Sequence, residues 1–158
     1  MEAAMENPIV DNGGLSDRYA PHALSVLRIV TALLFLLHGT SKILMFPISS
    51  ASGPAMWSLL WVAGIIELIG GLMLLVGVFS RPVALLLCGE MAIGYFMVHA
   101  PQGLYPMLNG GESAVLFCFI FLYIAFEGPG PLSVDRWWHD RRHADGPDGY
   151  LGLQGGGA

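Results

Sequence analysis

Charge is scarce in this chain. Only 12% of its 158 residues are charged, against 54% that are hydrophobic, and the mean hydropathy is +0.62. One soluble core of this length needs far less apolar material, so the composition excludes an ordinary soluble domain and describes a membrane protein. Basic residues are the rarer sign, seven Lys and Arg against twelve Asp and Glu. They are scattered, so there is no basic patch and no reason to expect a nucleic-acid partner. Cysteine is nearly absent, and Cys88 and Cys118 form no C-x-x-C pair. No redox-cofactor motif and no long internal repeat is present.

What is there is four apolar runs: Ala23–Phe46, Trp57–Phe79, Pro82–His99 and Ser113–Phe126. About 20 residues cross a bilayer core of roughly 30 Å, so the first two runs are comfortable and the third adequate. The fourth is short, rising only about 21 Å at 1.5 Å per residue. It is expected to cross, because the stretch Glu127 to Pro131 (EGPGP) ends it cleanly and the basic residues of both tails then share one side. The expected fold is all-α, an integral-membrane bundle of four transmembrane helices.

Orientation follows from the basic residues. Arg18, Arg81, Arg136, Arg141 and Arg142 lie on one side of such a bundle and only Lys42 on the other. The positive-inside rule then puts both termini in the cytoplasm, in a bacterial inner membrane crossed several times. The organisation is a mobile acidic segment over 1–20, a transmembrane domain over 21–132, an interfacial amphipathic segment over 133–143 and a flexible tail over 144–158. Ser133 caps the interfacial segment, and Trp137 and Trp138 anchor it. A secretory signal peptide cleaved near Ser49-Ser50-Ala51-Ser52 is the competing reading of the N-terminus. The first run is too long for one, contains Arg28 and Lys42, and follows an acidic leader without a basic region.

The second run, WVAGIIELIGGLMLLVGVF from Trp61 to Phe79, holds one acid, Glu67. A carboxylate at that depth must be paired, protonated or turned towards something polar. At 100° per residue, Ala63, Gly64, Gly70 and Gly71 all lie within about 60° of Glu67. Small residues let transmembrane backbones approach closely, so this face is expected to meet another helix and to carry the acid into the bundle. On the first helix Thr31, His38, Gly39 and Lys42 fall within about 80° of Arg28, a second polar stripe. Glu67 and Glu90 lie near the midplane of their segments. By the rise per residue, His38 sits about 5 Å and Lys42 about 10 Å outward of the centre of helix one, with Arg28 a comparable distance the other way. Two acids, two bases and a histidine are close to charge balance, as burial requires, and together they predict a polar cavity. The plainer reading makes the same groups helix-packing glue, with Arg28 and Lys42 reaching to the two interfaces.

The segment HAPQGLYPMLNGGES, from His99 to Ser113, has two prolines, three glycines and no acid before Glu112. It is too apolar and stiff for a hydrated linker. With Leu104 and Tyr105 it would fold over the mouth of the bundle, while Glu112 would favour the N-terminus of the fourth helix; the alternative is a plain interfacial turn.

Three stretches carry a family resemblance: LRIVTALLFLLHGTSKI, ELIGGLMLLVGVFSRP and, most distinctively, HAPQGLYPMLNGGESAVLFCFIFLYIAFEGPGPLSVD. From about Leu27 to Asp135 the chain resembles the DoxX family of small bacterial membrane proteins. The resemblance implies a four-helix membrane protein with redox associations, since members are linked to thiosulfate oxidation with quinone reduction and to membrane complexes handling oxidative stress. Carried over by motif, the implied site residues are His38 and Lys42 in HGTSK, Glu67 in ELIGG, His99 in HAPQG and Glu112 in NGGES. Glu90, Arg28 and Tyr105 rest on the physical reading.

Two functions are open at this stage. In the first, the chain is a quinone-linked redox subunit: His38 or Glu67 exchanges protons, Lys42 or His99 hydrogen-bonds a carbonyl, and a protein partner supplies electrons. In the second it is a non-catalytic accessory or assembly subunit whose polar interior fixes helix register. A lipid-accessible pocket reaching Glu67 favours the first, and a tightly packed interior with a large partner-facing groove favours the second. Cys88 is read as nearer the cytoplasmic end and Cys118 as nearer the outer end, which disfavours a thiol relay, because a disulfide needs Cα atoms within about 7 Å. Haem between His38 and His99 is disfavoured by a depth difference of more than about 10 Å. His139 and His143, at i and i+4, are read as a solvated surface pair rather than a metal site.

Overall fold

Helix ends in this chain are set by short polar signals between the apolar runs, and the computed structural model describes residues 16–47 and 53–144. Helix α1 runs over Ser16–Ile43, α2 over Leu59–Val76 and α3 over Ser80–Gly94. A π-helical turn (Tyr95–His99) and a 3-10 turn (Ala100–Gln102) prolong α3. A single turn, α4 (Pro106–Asn109), precedes α5 (Glu112–Glu127), and α6 covers Val134–Ala144. Among the described residues there is no strand. Ser58 starts α2 by accepting from the Trp61 N–H at 3.2 Å. Gly77 ends it in the left-handed conformation, φ 77°, with its N–H on Met73 O. Asp135, in the first turn of α6, accepts from the Phe79 and Ser80 N–H groups at 2.8 Å each and so caps α3.

Three stretches, Asp17–Ile43, Leu59–Val76 and Ser80–Gln102, are long and apolar enough to cross a membrane. Helix α5, with 16 residues, is the short one, as its sequence predicts. Helix α1 begins at Ser16, so the last residues of the segment expected to be mobile are helical; residues 1–15, 48–52 and 145–158 lie outside the description, and with them the small-residue stretch after helix one and most of the C-terminal tail.

Helix α1 lies along α2, and α3 along α5. The first pair touches backbone to backbone: a Cβ on Gly39 would stand 2.7 Å from Leu68 N. Gly64 faces Lys42 and Ile43, Gly71 faces Leu36, and Gly70 faces Leu87 of α3. The small-residue face around Glu67 therefore meets two helices rather than one. Ala32, Phe35, Leu74, Ala84, Leu87, Phe121 and Ile124 form the core between all four long helices. Many larger apolar residues, Leu33, Leu72, Leu85 and Phe119 among them, face outward. An apolar exterior over a small core is the arrangement a helical membrane protein presents to lipid, and it agrees with the composition.

Arg28 has a structural place. It is fully buried, and its guanidinium donates to Leu75 O at 2.8 Å, Pro129 O at 2.9 Å and Leu132 O at 2.5 Å, and also to Leu74 O. It thus satisfies the last carbonyls of α2 and clasps the α5–α6 linker. Its planar fork of five donors suits carbonyls from two elements at once. Arg81 does the same at the C-terminus of α5, donating to Phe126 O at 2.5 Å and Glu127 O at 3.2 Å.

Candidate functional site

The close approach at Gly39 brings the last turn of α1 over the middle of α2, and Lys42 meets Glu67 there. Lys42 Nζ lies 2.5 Å from Glu67 Oε1, with the lysine side chain 26% exposed and the glutamate 3%. The pair spans a boundary: one partner is reachable from outside the bundle and the other is not. Glu67 Oε2 is buried without a hydrogen-bond partner, and so are both carboxyl oxygens of Glu90. The Glu90 carboxyl stands within electrostatic reach of Glu67 and Lys42. Three buried carboxyl oxygens without protein donors are costly in a low-dielectric interior and make this the least satisfied polar cluster among the described residues.

Lys42 also lines a groove of about 810 Å³ between the C-terminal end of α1 and the N-terminal end of α5, together with Leu37, His38, Ser41, Ser113 and Phe117. His38 stands exposed in its wall, edge-on to Phe117 with ring centroids 5.6 Å apart and tilted against Phe35 at 6.3 Å. The groove is apolar along Leu34, Leu37 and Phe117, and polar at His38, Ser41 and Lys42. Its residues arrange a hydrophobic slot that ends in cationic and imidazole donors, with a buried carboxylate directly behind the cation.

The remaining predicted residues lie elsewhere. Arg28 is engaged at the opposite end, as described. His99 donates through Nδ1 to Asn109 O at 3.0 Å and stacks on Tyr95. Tyr95 OH donates to Leu104 O at 2.8 Å, while Asn109 donates to Gly103 O at 2.5 Å and accepts from the Gly111 N–H at 2.8 Å. This clasp holds the loop between α3 and α5 in shape. Tyr105 and Leu104 do not pack onto the bundle; they are 73% and 75% exposed. Glu112 is exposed in the first turn of α5, where the helix dipole favours it.

The depth assignment of the cysteines is corrected. Cys88 Sγ and Cys118 Sγ lie 3.6 Å apart. Cys88 is eight residues beyond Ser80 and Cys118 nine before Glu127, so from the end that Arg81 ties together both are about 12–14 Å deep at 1.5 Å per residue. The relative position of each cysteine in its own helix misled because α3 with its extension is much longer than α5. Sequence reasoning also missed Ser113, Phe117, Asn109 and Tyr95. Asn109 opens the NGGE motif and Ser113 follows it, which was the available signal; the two aromatics look like any other core residue until the helices are assembled.

Comparison with known proteins agrees with the helical membrane architecture. The model of the DoxX family matches residues 23–100. That span takes in Arg28, His38, Lys42, Glu67, Glu90 and His99 and ends before most of the loop that precedes α5, and before α5 itself. An uncharacterised protein of Haemophilus influenzae is 44% identical over 125 residues, covering 76% of this chain and 93% of that protein. Inner membrane protein YphA of Escherichia coli is 26% identical over 126 residues, 73% of this chain and 90% of its own length. No solved structure matches the chain.

Proposed function

As the chain belongs to the DoxX family of integral membrane proteins, we propose that it is the membrane subunit of a quinone-linked redox assembly, binding a quinone headgroup in the α1–α5 groove. One observation carries this reading: Lys42 lines the open groove and is ion-paired to the buried Glu67 behind it. A flat, carbonyl-bearing ring with an apolar tail fits a slot whose walls are Leu34, Leu37 and Phe117 and whose donors are Lys42, His38 and Ser41. When bound, a quinone supplies the capacity to accept two electrons and two protons. Lys42 Nζ would donate to one carbonyl from the floor of the groove and a His38 ring nitrogen would donate from its wall. Glu67 Oε1 orients the ammonium, and Oε2 is free to hold a proton next to it. Acid–base groups within hydrogen-bond reach of the exchanged proton are the requirement for such chemistry. Electrons come from a protein partner, since the sequence has no redox-cofactor motif.

The same reading takes α5 as a fourth crossing, with both termini in the cytoplasm of a bacterial inner membrane. Support comes from the distribution of basic residues and, for the membrane, from the name of the Escherichia coli relative. The competing function, a non-catalytic assembly subunit, draws on a second cavity of about 650 Å³ at the opposite end, lined by Arg81, Tyr123, Glu127, Asp135 and Arg136. A partner helix would suit that surface.

Glu67→Gln separates the two. Glutamine keeps nearly the same volume and can still accept from Lys42, but it carries no charge. The folded bundle should persist while affinity for a short-chain quinone, measured by fluorescence quenching of the purified protein, falls about tenfold or more, the worth of a charge-assisted contact. Wild-type affinity and unaltered partner-dependent turnover in the variant would leave Glu67 as packing glue and favour the assembly role.

A further inference from the structure

Cys88 and Cys118 take no part in the groove, yet they face each other across the α3–α5 interface with free thiols and 3.6 Å between sulfurs. We propose that they form a reversible disulfide linking α3 to α5, with a lipid-soluble quinone as oxidant. A disulfide bond is about 2.0 Å long, so the sulfurs need to close by about 1.6 Å, within reach of side-chain rotation if the helices hold their register. They are held. Arg81 of α3 binds the carbonyls of Phe126 and Glu127 at one end of α5. At the other end the extension of α3 grips the loop that starts α5, through His99 on Asn109 and Tyr95 on Leu104. Between these tethers Ala84, Leu87 and Phe121 are fully buried, and Cys88 packs against them.

The oxidant follows from depth and exposure. Both sulfurs lie about 12–14 Å in from the capped helix ends, in two apolar helices, and both cysteines are partly exposed on the outside of the bundle. A water-soluble disulfide would have to enter the hydrocarbon layer to reach them, whereas a quinone dissolves there. In the reaction each thiol gives up its proton, the two sulfurs together give up two electrons and form one S–S bond, and the quinone takes up both electrons and both protons to become a quinol. The linked state fixes α5 to α3 at its middle as well as at its two ends.

The test uses the full-length protein in lipid vesicles with duroquinone, whose fully substituted ring does not arylate thiols. The wild type should lose two thiols per chain, counted by maleimide mass-tagging, and form one quinol per disulfide, with dithiothreitol restoring both thiols. Cys88→Ser and Cys118→Ser should each keep the remaining thiol and form no quinol. Gly89→Ala, at a position with open space around it, should behave as the wild type, and because thiol loss and quinol formation are read without any binding in the groove, failure of the groove reading leaves this one standing. Retention of both wild-type thiols, equal loss of thiol in the single-cysteine variants, or cross-links only between chains would overturn it.

Discussion

Lys42 must satisfy two environments at once, since its stem packs on Gly64 of α2 while its ammonium sits between an open groove and a buried carboxylate. Removing it leaves Glu67 without a donor in the interior. Breaking a buried ion pair from one side costs about 3–5 kcal/mol, and the partial exposure of Lys42 argues for the lower end. Lys42→Met should therefore destabilise the protein by about 3 kcal/mol in unfolding by sodium dodecyl sulfate, a cost set by the stranded acid. Adding Glu67→Gln should recover most of that loss while quinone binding stays abolished. Recovery of stability without recovery of binding is the signature of a functional pair; if the double variant remained as unstable as the single one, the lost contact would be packing by the lysine stem. Arg28 shows the contrast. It is as buried as Glu67, but every partner the structure assigns it is a backbone carbonyl.

At the scale of elements, the site depends on how closely α1 and α2 approach, and Gly39 sets that distance. A methyl group there would fall 2.7 Å from Leu68 N and 3.0 Å from Leu68 Cα, backbone atoms that cannot turn aside. Gly39→Ala should push the helices apart, cost about 1–3 kcal/mol as overpacking does, and weaken quinone binding by loosening the Lys42–Glu67 contact. Gly89, by contrast, has open space around it. Gly89→Ala is the matched control, expected to leave both unfolding and binding unchanged. The α3–α5 pair is tied differently, by Arg81 at one end and the His99–Asn109–Tyr95 clasp at the other, and so does not rest on a single glycine contact.

For the whole molecule the open quantity is orientation. Met107 is 85% exposed in the loop before α5 and Arg136 is exposed at the start of α6, so in the proposed topology cysteines at these positions report the two faces of the membrane. In a version lacking Cys88 and Cys118, an impermeant maleimide added to intact cells should label Met107→Cys and spare Arg136→Cys. Opened cells should label both. Labelling of position 136 from outside, or protection of 107 until the cells are opened, would reverse the topology and remove α5 from the list of crossings. Met107 suits this better than Asn109, which is buried and holds the loop together.

Local chemistry alone determined the class of this protein and much of its wiring. Low charge and long apolar runs require a membrane helix protein, and Ser58, Gly77 and the EGPGP stretch end helices wherever they are placed. The face of Glu67 follows from a 3.6-residue period, and the stripe of His38 and Lys42 likewise. What periodicity does not contain is the relative register of two helices, because that is decided by side chains from different parts of the chain meeting at once. The residue pattern of a single helix therefore cannot say that Lys42 reaches Glu67, that Tyr105 is exposed, or that Arg28 spends its donors on backbone carbonyls. Cys88 and Cys118 are the clearest case. Their distance depends on the extension that makes α3 longer than α5 and on the Arg81 tie that aligns one end of each, and only the packed bundle brings the two sulfurs into contact.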